Sequence, residues 1–202
     1  AIEIENQLGD VHNVAKSTNS LGVLLLRRGA VSAAAKAYQR CLDIWEGIGF
    51  PIGVALVWSN LGEVYIERQE WELALDYLKR SEEKLHEIES ALFLPEVYRR
   101  QALVYLHTDH LPEARRLSDR SIDLATKLSM TLEQGISLRV RGQIDVASGQ
   151  WERAETALTE SMSILQEQGN LYQMGETLYH LARLYQAKAS AGDQAAPARA
   201  EL

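Results

Sequence analysis

The best metal-ligand spacing in this chain of 202 residues is His107-Thr-Asp-His110. Two imidazoles and a carboxylate within four residues could begin a zinc site, but zinc needs three or four ligands that converge. The segment reads as a helix end and the turn after it, and the equivalent residues elsewhere, such as Glu67 and Glu70, supply no further ligand. His12, His86 and His180 are scattered. A surface turn is therefore the expected role of His107 and His110, with no metal bound. Glu63 and Glu67 share one helix face, and one helix cannot place two carboxylates on opposed sides of a substrate. Glu82, Glu83, Glu87 and Glu89 read as a solvated helix face. Arg27-Arg28-Gly29 is a helix end and lacks the Lys-Ser/Thr of a phosphate loop. The single cysteine, Cys41, is expected to be a packed thiol rather than a reactive one. The chain is thus expected to be no enzyme and to hold no cofactor.

Composition narrows the partners. A net charge of −7 argues against non-specific nucleic-acid binding through this segment. One cysteine permits no internal disulfide, which fits a reducing compartment. Apolar runs such as Val23 to Leu26 are far too short to span a bilayer. No signal-peptide pattern is visible. Cytoplasmic location and no membrane contact are expected.

The elements that carry these residues repeat. Asn60 to Ala74 returns 40 residues later as Arg100 to Ala114, keeping Val104, Tyr105 and Ala114. It returns again as Val140 to Ala154, keeping Gly142, Trp151 and Ala154, and it is preceded by Ser20 to Ala34 with Leu21, Gly22 and Ala34. An ungapped period of this length signals stacked structural repeats. Each copy reads as two amphipathic helices. Trp58, Leu61, Val64 and Tyr65 share one face, and Leu75, Leu78 and Leu85 share another. Gly29 and Gly149 suit the left-handed conformation that ends a helix, and Pro112 sits just inside one. Gly22, Gly62, Ala102 and Gly142 occupy one position inside the first helices. An interior glycine costs about 1 kcal/mol against alanine, so a neighbouring helix is expected to approach closely there, at Ala34, Ala74, Ala114 or Ala154. One hairpin cannot bury its apolar face alone, so hairpins stack. The hydrophobic content of 46% is ample for such a core.

Leu61-Gly62, Tyr65, Trp71 and Ala74 resemble the tetratricopeptide repeat, over nearly the whole chain. The 40-residue length resembles the subtype of kinesin light chains, Pins-like adaptors and bacterial regulators related to the maltose activator. Armadillo and HEAT repeats have similar lengths but lack this spacing. The resemblance implies an all-α fold: an α-solenoid of stacked antiparallel helix hairpins, wound as a right-handed superhelix. It also implies that the first helices line a concave groove. Carrying the family's groove positions over selects Asn19, Ser59, Arg99, Arg139 and Tyr179 on one row. A second row holds Glu63, Leu103, Gln143 and Arg183 together with Val23. Val23, Leu26, Ile66, Leu103, Leu106 and Val146 would make the groove floor partly apolar. Arginines repeated at this spacing repel mildly unless an anionic group joins them, so the expected partner is a protein or peptide with an acidic portion. The family's chaperone-tail clamp needs lysine and asparagine where this chain has Ser59, Glu63, Arg99 and Leu103, so that ligand is not expected. The function implied is a protein-interaction or sensor module of a larger bacterial signalling or transcription-regulating protein. The alternatives are a passive scaffold or cargo adaptor, and self-association.

In chain order, residues 1–9 align with Cys41 to Gly49 and read as the remnant of a preceding repeat helix, cut from a longer protein. Residues 10–189 read as the repeat array, four repeats at about 15–54, 55–94, 95–134 and 135–174 and then a capping helix with Leu178, Leu181 and Tyr185 on its apolar side. Residues 190–202 hold too few large apolar groups to offset their ordering entropy and are expected to be a disordered tail or linker.

Overall fold

The computed structural model describes the backbone of residues 2–200 and the side chains of residue 9 and of 11–191. Among the described residues the chain is helical, with no strand. The helices are α1 (Ile2–Arg27), α2 (Val31–Gly47), α3 (Pro51–Glu67), α4 (Trp71–Glu87), α5 (Leu94–His107), α6 (Leu111–Lys127), α7 (Thr131–Ala147), α8 (Trp151–Glu167) and α9 (Leu171–Ala200). Pro51 and Pro112 stand in the first turns of α3 and α6, where a missing N–H breaks no helix bond. In α5 the start slips to Leu94, whereas a strict repeat of Pro51 would begin it at Ala91. Pro95 falls in its first turn, where a missing N–H breaks no helix bond.

The turns repeat every 20 residues. Gly29, Gly49, Gly149 and Gly169 have positive φ, as the sequence leads one to expect for Gly29 and Gly149. Gln69, Glu89, Asp109 and Ser129 occupy the intervening turns at φ of 52–61°, without being glycine. Every turn closes in the same way. The Ala30 N–H donates to the Leu25 carbonyl and the Gly29 N–H to the Leu26 carbonyl, both at 2.9 Å, and the pairs recur down to Asn170 to Leu165 and Gly169 to Gln166. These paired bonds satisfy carbonyls that a helix end leaves open.

The chain divides into two compact units, residues 1–104 and 105–202, with the boundary inside α5. In the first unit α1 packs on α2, α2 on α3 and α3 on α4. Its core gathers Ala34, Tyr38, Cys41, Trp45, Val57, Leu61 and Val64. In the second, α7 packs on α6, α8 and α9, and α8 also packs on α9. Ala154, Leu158 and Leu184 form a fully buried cluster there.

The small residues lie at the expected close approaches, but the group they meet is one helical turn further along. A Cβ on Gly62 would sit 2.7 Å from Leu78 Cγ, and one on Gly142 would sit 2.5 Å from Leu158 Cγ. On Gly22 it would meet the Tyr38 ring at 2.5 Å. Ala74 and Ala154 contribute only their carbonyl oxygens, at 3.4 Å. Cys41 is the expected packed thiol. It is fully buried, donates to the Ala15 carbonyl at 3.2 Å, and burial pushes its ionisation up to about 12. Ser81 and Ser161 repeat that bond to Ala55 and Gly135 at 2.7 Å.

Two expectations differ from the backbone. Residues 2–9 are continuous with α1 rather than a separate helix. Residues 190–200 continue α9 rather than forming an irregular tail. Alanine-rich sequence has the strongest intrinsic helix preference, which a count of large apolar groups ignores. Residues 201–202 lie outside the described backbone.

Candidate functional site

The first helices of unit 1 carry a row of polar groups at the 40-residue period. Arg100 of α5 is its hub, with a side chain only 4% exposed. It donates to Ser59 Oγ at 2.6 Å and to Asn60 Oδ1 at 3.3 Å, and it pairs with the Glu63 and Glu96 carboxylates, the latter at 2.7 Å. Asn60 passes the chain on, donating to Asn19 Oδ1 at 2.8 Å. A buried guanidinium is tolerable only when its donors are answered in this way. Burial alone would raise the Glu63 pKa, but the Arg100, Arg99 and Arg27 charges outweigh it and hold the carboxyl below its ordinary range. Tyr38 lies close enough for burial, and then the Glu63 charge, to push its phenol far above the usual tyrosine range.

In unit 2 the equivalent helices α7 and α9 bring together a different set. Arg139 donates to the Gln173 carbonyl at 3.1 Å and lies 3.5 Å from Thr177 Oγ1. Tyr179 is 58% exposed, the Arg183 guanidinium lies 5.9 Å from its ring centre, and the His180 ring meets it edge-on at 5.2 Å. Burial lowers the His180 pKa, and the positive charges of Arg139 and Arg183 lower it further, to about 4. The imidazole is neutral at pH 7 beside two cations, and the patch has a positive field around an exposed aromatic ring.

The sequence-selected residues therefore divide. Ser59 is fully buried and Arg99 is 9% exposed, so neither has the outward placement expected of it. Ser59 is turned to Arg100, and Arg99 lies 3.9 Å from Glu96, because charged groups taken out of water are held by partners. Asn19, Glu63, Leu103, Arg139 and Gln143 are half-buried, and Tyr179 and Arg183 are exposed. The expected apolar floor, Val23, Leu26, Ile66, Leu103, Leu106 and Val146, is also half-buried. Arg100, Asn60 and His180 were missed. The row Ser20, Asn60, Arg100 and Val140 lies one residue beyond the family's groove position, and polar groups at a core-facing step were the available signal.

Elsewhere in unit 2 a cavity of about 360 Å³ is lined by Leu138, Arg141, Asp145, Arg153 and Glu160, among others. Asp145 binds Arg115 at 2.7 Å and Arg141 at 3.3 Å. Two repeats earlier, Trp58 and Arg80 stand where Leu138 and Glu160 do, with the guanidinium 4.5 Å from the indole centre. The smaller side chains of unit 2 leave that space open. Among the described residues no three His, Cys, Asp or Glu side chains are grouped to hold a metal ion. His107 ends α5 and His110 precedes α6, its Nδ1 lying 3.2 Å from Thr108 Oγ1.

Comparison with known proteins agrees with this architecture. Tetratricopeptide-repeat family models match residues 14–48 and 57–84. No curated protein matches the sequence. Among solved structures, a Rap protein complexed with Competence and Sporulation Factor superposes with a TM-score of 0.77 at 17% identity, over 90% of this chain and 50% of that one. A signal transduction ATPase with a tetratricopeptide repeat sensor, from Pyrococcus horikoshii, gives 0.68 at 18% identity, over 88% of this chain and 27% of that one. A putative kinesin light chain with nearly identical repeats, from Podosopora anserina, gives 0.62 at 16% identity, over 91% and 90%. The chain thus spans half of the Rap protein and about a quarter of the ATPase. At these identities the likeness establishes the fold, which is the all-α helical repeat of the solenoid class.

Proposed function

We propose that this chain, a member of the tetratricopeptide-repeat family, is a non-catalytic protein-interaction or sensor module that receives a peptide or partner domain on its first helices. The observation that carries this reading is the unit 2 patch, where Arg183 and neutral His180 flank exposed Tyr179 and Arg139 adds its charge beside His180. An aromatic ring with a guanidinium beside it offers apolar contact and a charge-assisted acceptor site together. An acidic side chain or a peptide carboxylate is the complementary group, and Gln143 on α7 extends the polar contact. In unit 1, Asn19, Glu63 and Leu103 occupy the corresponding positions, with Glu63 held ionised by Arg100.

A sensor within a larger signalling or transcription-regulating protein, bacterial and cytoplasmic, is the finer reading. The Rap protein and the signal transduction ATPase support it, one by its bound factor and the other by the role given to its repeats. No helix among the described residues is long and apolar enough to cross a membrane. A scaffold or cargo adaptor is the second reading, favoured by the kinesin light chain likeness, which spans both chains almost fully. A nucleotide-binding or helix-turn-helix domain in the parent gene would favour the sensor.

The test is quantitative affinity capture from a lysate of the source cells. The native chain is compared with a Gln143→Glu/Arg183→Glu double variant after matching their helical circular dichroism and melting temperatures. One partner captured by the native chain and lost by the variant is expected. Equal capture by both would remove the patch from the interface and with it the acidic-ligand reading.

A further inference from the structure

The cavity lined by α6, α7 and α8 lies where an earlier copy of the repeat is filled with stacked rings. In the first unit Tyr65 and Tyr77 stack with their ring centres 5.2 Å apart. The Arg80 guanidinium lies 5.3 Å from the Tyr77 ring centre and 4.5 Å from that of Trp58. All three rings pack on the buried core of that unit. Two repeats later the same four positions hold Asp145, Ala157, Glu160 and Leu138, and all four line the cavity of about 360 Å³. Two phenols, a guanidinium and an indole are thus replaced by two carboxylates, a methyl and an isobutyl group. The space that rings fill in one copy is open in the other.

The charge at the site is reversed as well. The position of Glu160 is arginine in every earlier copy, as Arg40, Arg80 and Arg120. The guanidiniums that line the cavity, Arg141 and Arg153, are both engaged. Arg141 pairs with Asp119 and, at 3.3 Å, with Asp145, which is held in turn by Arg115 at 2.7 Å. Arg153 donates to Gln150 Oε1 at 2.9 Å. Glu152, the third carboxylate of the lining, acts on the Lys188 charge. Glu160 is exposed and has no ion pair among the described residues. The unanswered charge of the cavity is therefore negative, and it stands beside apolar walls from Ile122, Leu138 and Ala157.

We propose that this cavity binds a small molecule that joins a planar aromatic ring to a cationic nitrogen, with the ring against Leu138 and Ala157 and the cation beside Glu160. Such a ligand restores what Trp58, Tyr77 and Arg80 supply internally, a ring in the apolar space and a positive charge against it. The volume falls in the range of small-ligand sites, about 300–1,000 Å³. Removing the ring from water supplies the affinity, and the carboxylate selects the sign of the charge. No lining residue is shared with the Tyr179 patch, so this site and the peptide site stand or fall separately.

The probe is tryptamine, an indole that carries an ammonium group, titrated into the intact chain and followed by the amide shifts of Leu138, Ala157 and Glu160 in nuclear magnetic resonance. Saturable shifts at these residues are expected. Glu160→Arg restores the residue of the earlier copies at an exposed position, so the fold should be kept, and tryptamine should bind about tenfold more weakly. Leu138→Trp fills the space with the ring of the earlier copy and should abolish binding, once matching circular dichroism has shown the variant folded. Indole-3-acetate, with the same ring and the opposite charge, should bind the native chain about tenfold more weakly than tryptamine. The absence of saturable binding would overturn the proposal, as would equal affinity of the native chain and Glu160→Arg for tryptamine. Tighter binding of indole-3-acetate would give the site to anions through Arg141 and Arg153 and overturn it too. Binding of N-acetyl-tryptophanyl-arginine amide without binding of tryptamine would assign the cavity to peptide side chains and overturn the small molecule assigned here.

Discussion

Arg100 shows how one buried charge organises several helices' polar groups. Its donors reach Ser59, Asn60, Glu63 and Glu96, so removing it takes from two carboxylates the cation that pairs with them most closely. Arg100→Met should cost about 2–4 kcal/mol in urea denaturation, and a loss under 0.5 kcal/mol (about the scatter of a neutral surface change) would mean that water replaces the network freely. Two titrating residues predict separate acid windows. His180 has a folded pKa of about 4 against an ordinary 6.5, so the unfolded chain binds the proton first. Its contribution is complete above pH 6.5 and is lost as pH falls towards 4. Glu63 is also lowered in the fold, so its contribution persists above the unfolded carboxyl range, about pH 4.3, and is lost below it. Melting temperatures across pH should therefore fall less steeply between 6.5 and 4 for His180→Gln, and less steeply only under about 4.3 for Glu63→Gln. The same slopes in all three proteins would show that neither group titrates differently in the fold. An anionic ligand beside Arg139 and Arg183 should raise the His180 pKa, which its imidazole proton shifts report directly.

At the scale of helices and turns, packing turns on a small residue beneath a large one. Gly62→Leu forces a side chain into space held by Leu78, 2.7 Å from the position of its first carbon, and should destabilise by about 1–3 kcal/mol. An unchanged melting temperature would refute the close approach. The turn at Gln69 predicts the opposite sign. At φ 60° a glutamine bears the left-handed penalty, so Gln69→Gly should stabilise by about 1 kcal/mol, measured by the same melts. Much of this scale was legible in the sequence. The period located the hairpins, and Gly29 and Gly149 marked two turns. Gln69, Glu89, Asp109 and Ser129 gave no such mark, because their φ follows from the paired turn bonds and not from residue type. The partner of Gly62 was read as Ala74 and is Leu78, since spacing reveals a small site without showing which side chain leans over it. The candidate site was least legible. One residue along a helix turns a side chain by about 100°, so an offset of one separates Arg99, expected to face a ligand, from Arg100, which binds four neighbours. His180 acquires its character from burial first and then from Arg139, a residue on another helix.

Across the whole molecule, each compact unit has buried apolar clusters of its own. Val57, Leu61 and Val64 pack in the first unit with Tyr38 and Trp45, and Ala154, Leu158 and Leu184 pack in the second. Repeat proteins gain stability from each repeat and from its interfaces with neighbours, so a defect is felt locally first. Gly142 tests this because a Cβ there would fall 2.5 Å from Leu158 Cγ, well inside the second unit. Gly142→Leu should loosen α7, α8 and α9 by about 1–3 kcal/mol. Native-state amide exchange then separates two behaviours. If stability is local, exchange accelerates along α7–α9 while α1–α4 keep the protection of the native chain, and Gly62→Leu gives the converse pattern. If Gly142→Leu lowers protection equally from α1 to α9, the chain opens as one cooperative body.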